Sequence, residues 1–105
     1  MDTTTSRPFL LLSLQRALLG EIHPQLRQAS IETDPAAKVV HLRFEYDGPA
    51  TGEPRNCCSC AAAEVLADFD PTWKLDEQHL EAPVGHALSA LAHVGYLRFE
   101  ERMSA

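Results

Sequence analysis

A chain of 105 residues has room for one domain, spanning 1–105, and its 45% hydrophobic and 23% charged residues are an ordinary globular balance. A net charge of −6 sets it against phosphate and anionic lipid, which argues against a nucleic-acid or membrane-surface binder. The charge is also uneven: five basic and four acidic residues precede Glu45, whereas four basic and eleven acidic residues follow from there, a balance that allows a basic protein partner.

Met1 to Thr5 is expected to be disordered. Ser6 can cap a helix with Pro8 in its first turn, and Leu10, Leu11, Leu14, Ala17 and Leu18 then recur at helical spacing. Phe9, Leu12 and Leu19 widen that apolar surface and leave Ser13, Gln15 and Arg16 for water, with Gly20 as the stop. A weak strand is expected around Leu26 to Thr33, with Ala29 and Ile31 facing one way. Asp34-Pro35-Ala36-Ala37 is a turn. The next strand is the clearest in the chain. Val40, Leu42, Phe44 and Tyr46 share one face while His41, Arg43 and Glu45 share the other, a period of two that puts one face on a core and one toward water.

After the Asp47-Gly48-Pro49 turn, Cys58, Ala61, Ala62, Val65, Leu66 and Phe69 form the buried stripe of a second helix that ends at Asp70-Pro71, with Ser59 and Ala63 turned away from the stripe. Trp73 to Glu81 reads as a strand, bulged if Leu75 and Leu80 are to share a face. Val84, Ala87, Leu88, Leu91 and Ala92 suggest a short extra helix, weakened by Gly85. A last strand from Tyr96 to Glu101 would bury Leu97 and Phe99. The fold class is thus α+β, an antiparallel sheet of about four strands with two main helices on one face, in the order α-β-β-α-β-β.

Three constellations invite chemistry. Cys57-Cys58-Ser59-Cys60 contains a Cys-x-x-Cys pair, but a structural zinc site needs four ligands and no second pair follows. Packing is the better reading, with Cys58 on the core stripe, so no metal or cofactor is expected. His86 and His93 could share a helix face, and one of them with Cys60 or Ser59 would make a nucleophile–base pair, yet no phosphate loop or nucleophile elbow accompanies them. No catalytic residues are assigned. The carboxylates Asp47 and Glu53 at one end of the second helix, with Asp68, Asp70, Asp76 and Glu77 at the other, are the candidate partner-binding surface. The four acids of the second group lie close in sequence with only Lys74 among them. The opening residues Met1 to Arg7 lack a secretory pattern and nothing approaches a membrane span, so a cytoplasmic protein with reduced thiols is expected.

Several stretches resemble, in order, a family of small bacterial immunity proteins of contact-dependent growth inhibition and related polymorphic toxin systems. They are Leu14-Gln15-Arg16-Ala17-Leu18-Leu19-Gly20-Glu21-Ile22 with Pro24 and Leu26-Arg27, then Arg43-Phe44-Glu45-Tyr46-Asp47-Gly48, Ala63-Glu64-Val65-Leu66-Ala67-Asp68-Phe69, and Tyr96-Leu97-Arg98-Phe99-Glu100. The chain departs from that pattern in its cysteine run and in the longer stretch from Ala82 to Val94. The resemblance implies a non-enzymatic inhibitor of a partner's C-terminal toxin domain, a nuclease whose basic cleft the acidic surface would block. It transfers no catalytic residue. A small Cys/His enzyme and an interaction module without a toxin partner are the alternatives.

Overall fold

A computed structural model describes residues 5–100. The expected N-terminal disorder, Thr5 aside, lies outside the described residues, as does Glu101. Helix α1 (Arg7–Leu18) starts where the Ser6 hydroxyl accepts the Phe9 N–H at 3.3 Å, with Pro8 in the first turn, and gives way to Gly20 at φ +80°. Its buried face is Leu10, Ser13, Leu14, Ala17 and Leu18, so Ser13 is inside, while Leu12 and Leu19 face water. Ser13 is turned inward because its hydroxyl has a partner there, donating to Asp68 at 2.6 Å.

Strands β1 (Leu26–Asp34) and β2 (Val39–Tyr46) form an antiparallel hairpin around Pro35–Lys38. Helix α2 (Gly52–Leu66) then crosses over to β3 (Lys74–Glu81), and β4 (His93–Leu97) closes the chain's sheet at the opposite edge. The strand order is β3-β2-β1-β4. The sheet is therefore mixed rather than wholly antiparallel. β2 and β3 run parallel in unbroken register from Val39/Lys74 to Tyr46/Glu81, because a helix as long as α2 returns the chain to the end where β2 began. That register needs no bulge in β3: Leu75 faces the helices and Leu80 the other side.

Val40, Leu42, Phe44 and Tyr46 are completely buried beneath the helices, as their alternation required, together with Ala29 and Ile31 of β1. Cys58, Ala61, Ala62 and Val65 of α2 close the core from above. Phe69 lies beyond the end of α2 but stays buried, edge-on to Phe9 at 5.7 Å and against Trp73 at 5.0 Å. At the other edge, α1 packs so close to β4 that only a glycine fits at position 95, where a Cβ would lie 2.6 Å from Leu14 Cδ2.

The second face of the sheet departs most from expectation. Residues 82–92 form no helix; they run as an irregular segment across the sheet, opposite the helices. Gly85 takes φ +100°, outside helical space, and side chains capture backbone N–H groups a helix would have used. The last strand comes earlier than expected and leaves Leu97 and Phe99 exposed rather than buried, with Tyr96 packed against the core instead.

Candidate functional site

The six candidate carboxylates do not form one surface. Asp68 sits in the groove between α1 and α2, held by the Ser13 hydroxyl and by Arg16 at 3.2 Å. Asp70 is spent on the turn into β3, accepting from the Thr72 N–H at 2.8 Å and from the Thr72 hydroxyl, bonds that lower its pKa. Asp76 and Glu77 are neighbours in sequence but point to opposite faces of β3. Asp76 pairs with His41 at 2.7 Å and Gln78 at 2.6 Å, which hold its carboxyl below the ordinary range. Asp47 lies at the far end of the sheet. It accepts from the Val84 N–H and from Arg98, both at 3.2 Å, and is lowered by them. Glu53 is exposed in the first turn of α2.

Glu77 belongs to a polar chain under α2. Ser59, expected to face away from the core, instead donates its hydroxyl to Glu77 Oε2 at 2.5 Å, and His79 Nε2 meets the same oxygen at 2.5 Å. The other ring nitrogen of His79 meets the Tyr46 hydroxyl at 2.6 Å. With Nε2–H donating to Glu77, Nδ1 is left to accept from Tyr46. Burial raises the Glu77 carboxyl, but the bonds from Ser59 and His79 outweigh it and bring its pKa below normal. Burial raises the Tyr46 phenol and pushes the Cys58 thiol up to about 11. The His79 ring stacks on Phe44 and Tyr46, and through its bonds to Tyr46 and Glu77, with Ser59 on Glu77, the arrangement joins α2 to the sheet. Cys57, Cys58 and Cys60 are all free thiols, the second buried and the third exposed. His86 lies in the turn after Gly85 and His93 begins β4, so they share no helix face.

A second assembly sits on the outer face and at the β4 edge. The buried Arg27 guanidinium donates to the carbonyls of Ala82 at 2.6 Å, Pro83 at 3.3 Å and His86 at 3.1 Å, and forks onto Glu100 at 2.7 and 2.8 Å. Arg98 ties Glu100 to Asp47. These two cations hold the Glu100 carboxyl down at about 2. Further along, Glu45 is fully buried rather than facing water. It accepts from Gln28 at 2.8 Å and from the Ser89 N–H at 2.7 Å, while Arg43 donates to the Ser89 carbonyl at 2.6 Å. Ser30 and Glu32 accept the N–H groups of Leu91 and Ala92.

The model of the MafI2 immunity protein family matches residues 7–100, from the first residue of α1 to the carboxylate that Arg27 holds. The chain belongs to the MafI2 immunity protein family. A comparison with curated proteins finds no match. No described helix is long and apolar enough to cross a membrane.

For a MafI2 immunity protein the relevant site is a surface that meets another protein. Reasoning from charge alone missed the Arg27–Glu100–Arg98 assembly and the segment it anchors. One signal could have found that segment. Ala82 to Leu97 is sixteen residues without an Asp, Glu, Lys or Arg, twice the next longest such runs, Pro8 to Gln15 and Asn56 to Ala63.

Proposed function

We propose that this protein neutralises a bacterial toxin by binding the toxin's C-terminal domain one-to-one and covering its active cleft, without an enzymatic step of its own. The family match over residues 7–100 carries the reading, since it supplies an immunity role over the whole described fold. The toxin we infer is a nuclease of a contact-dependent or related polymorphic system, met in the cytoplasm. Its cleft must be basic to hold phosphate, and a chain of net charge −6 is drawn to such a cleft over the range of one Debye length.

In this reading the acids set the rate of encounter. Asp70, Asp76, Asp68 and Glu77 lie toward one end of the sheet and Asp47 and Glu53 toward the other, so they act through their summed field rather than as one contact patch. The test is co-expression in cells of the toxin domain encoded beside this chain. Survival with this protein and death without it are expected. Death in both cases, with the protein present in soluble form, would overturn the immunity role.

A further inference from the structure

Ion pairing accounts for the acids but leaves unexplained why buried polar groups hold an irregular apolar segment in place. Residues 82–92 contain no regular structure, yet nine side-chain hydrogen bonds fix them: three from Arg27, two from Arg43, and one each through Asp47, Glu45, Ser30 and Glu32. A segment ordered this way loses little conformational entropy when a partner covers it. Val84 of this segment stands beside two exposed apolar side chains, Leu97 at the end of β4 and Phe99 just beyond it. Val84 is 61% exposed, Leu97 61% and Phe99 91%. These three side chains line an open groove of about 600 Å³ whose floor is the Arg27–Glu100–Arg98 assembly. Together they expose on the order of 300 Å² of apolar surface, within the range of the largest patch on a typical monomer.

We propose that this face, apolar at its walls and ion-paired at its floor, with Phe99 and Leu97 as its anchors and Val84 at its rim, is the seat on which the basic toxin domain docks. The proposal rests on the immunity reading above and adds to it the surface. The occupant follows from charge. A second copy would bring another −6 onto the first, whereas a basic domain is attracted by that net charge, and the charges on the groove floor are already paired with one another as Arg27–Glu100 and Arg98–Glu100. Asp47, tied to Arg98 of the floor, stands at its border. The acids bring the partner in and the apolar face retains it, the division expected between encounter rate and residence time.

The experiment measures binding kinetics of the purified toxin domain encoded beside this chain on the wild-type protein, the Leu97→Ser/Phe99→Ser double variant, Val84→Ser, and Leu19→Ser. Leu19, the C-cap of α1, is the control: it is 77% exposed and is not among the side chains that line the groove. Thermal melts confirm that each variant folds, as substitutions at exposed positions should allow. The double variant is expected to weaken Kd by about 100-fold or more, through faster dissociation, with Val84→Ser intermediate and Leu19→Ser within about threefold of wild type. A folded double variant that binds within about threefold of wild type overturns the proposal and leaves the immunity reading intact. So does a wild-type homodimer that the double variant disperses, because the face would then belong to a second copy. Failure of the wild-type protein to bind the toxin removes both.

Discussion

Replacing Glu45 with Ala probes whether the 82–92 segment is held to the sheet as described. Glu45 sits on the face of β2 opposite the core, where simple alternation would place it in water, and there its loss would change stability by less than about 0.5 kcal/mol. In the structure it is 1% exposed and receives two hydrogen bonds, from Gln28 and from the Ser89 backbone. Bonds to a charged acceptor contribute about 1.5–3 kcal/mol each, and removing the acceptor also strands the buried Gln28 amide. Ser89 is exposed and regains water, which offsets part of the loss. The expected cost is about 2–4 kcal/mol, approaching the roughly 3–5 kcal/mol of Phe44→Ala in the core on the other face. For a domain of this size that lowers Tm by about 8 °C or more, at about 4–8 °C per kcal/mol. Urea unfolding of Glu45→Ala, Phe44→Ala and the exposed-site control Glu64→Ala gives the ranking. Glu45→Ala indistinguishable from Glu64→Ala would show that the segment does not seal that face.

Three further outcomes follow from named contacts. Gly95→Ala should cost about 1–3 kcal/mol, because the new Cβ meets fully buried Leu14, and a melt equal to wild type would mean α1 does not press on β4. Glu100 has its carboxyl lowered from 4.5 to about 2 by Arg27 and Arg98, so its contribution is complete above about pH 4.5 and lost as pH falls toward 2. The stability gap between wild type and Glu100→Gln should therefore close over that interval, and a gap constant with pH would remove Glu100 from the clamp. In thiol labelling at pH 8, exposed Cys60 should react first and Cys58 only on unfolding, since burial raises its thiol to about 11; equal rates would contradict the packing of α2.

What the sequence made legible was whatever one periodicity controls. The inner face of β2 is legible residue by residue because it is uniformly large and apolar, whereas on its outer face Glu45 is buried rather than in water. The stripe of α2 was read for the same reason, although the helix ends three residues before Phe69. β1 looked weak because it is central. Leu26 to Ile31 are buried on both sides, and the outer side is filled by Gln28 and Ser30, whose polarity mimics a water-facing position until the loop that satisfies them is known. Residues 84–92 mimicked a helix through Val84, Ala87, Leu88 and Leu91. Gly85 and the captured N–H groups decided otherwise, and such long-range bonds leave no local pattern.

The pairing of β3 was likewise not legible locally, since its direction depends on where α2 delivers the chain. Among the candidate acids, sequence proximity misled. Asp76 and Glu77 are separated by the thickness of the sheet, and Asp68 and Asp70 are engaged in local bonds. Leu97 and Phe99 read as core in the sequence because a hydrophobic residue in a strand is usually turned inward, but the strand ends at Leu97 and both side chains are exposed.

Titration of the purified protein into a fixed amount of the neighbouring toxin domain, with residual nucleic-acid cleavage as the readout, tests the central claim most directly. Toxin neutralisation by a tight one-to-one complex predicts a linear fall in cleavage to baseline at one molar equivalent, with an endpoint unchanged when substrate is raised. Cleavage that persists in several-fold excess of this protein, or that declines only in proportion to substrate bound by it, would contradict the account.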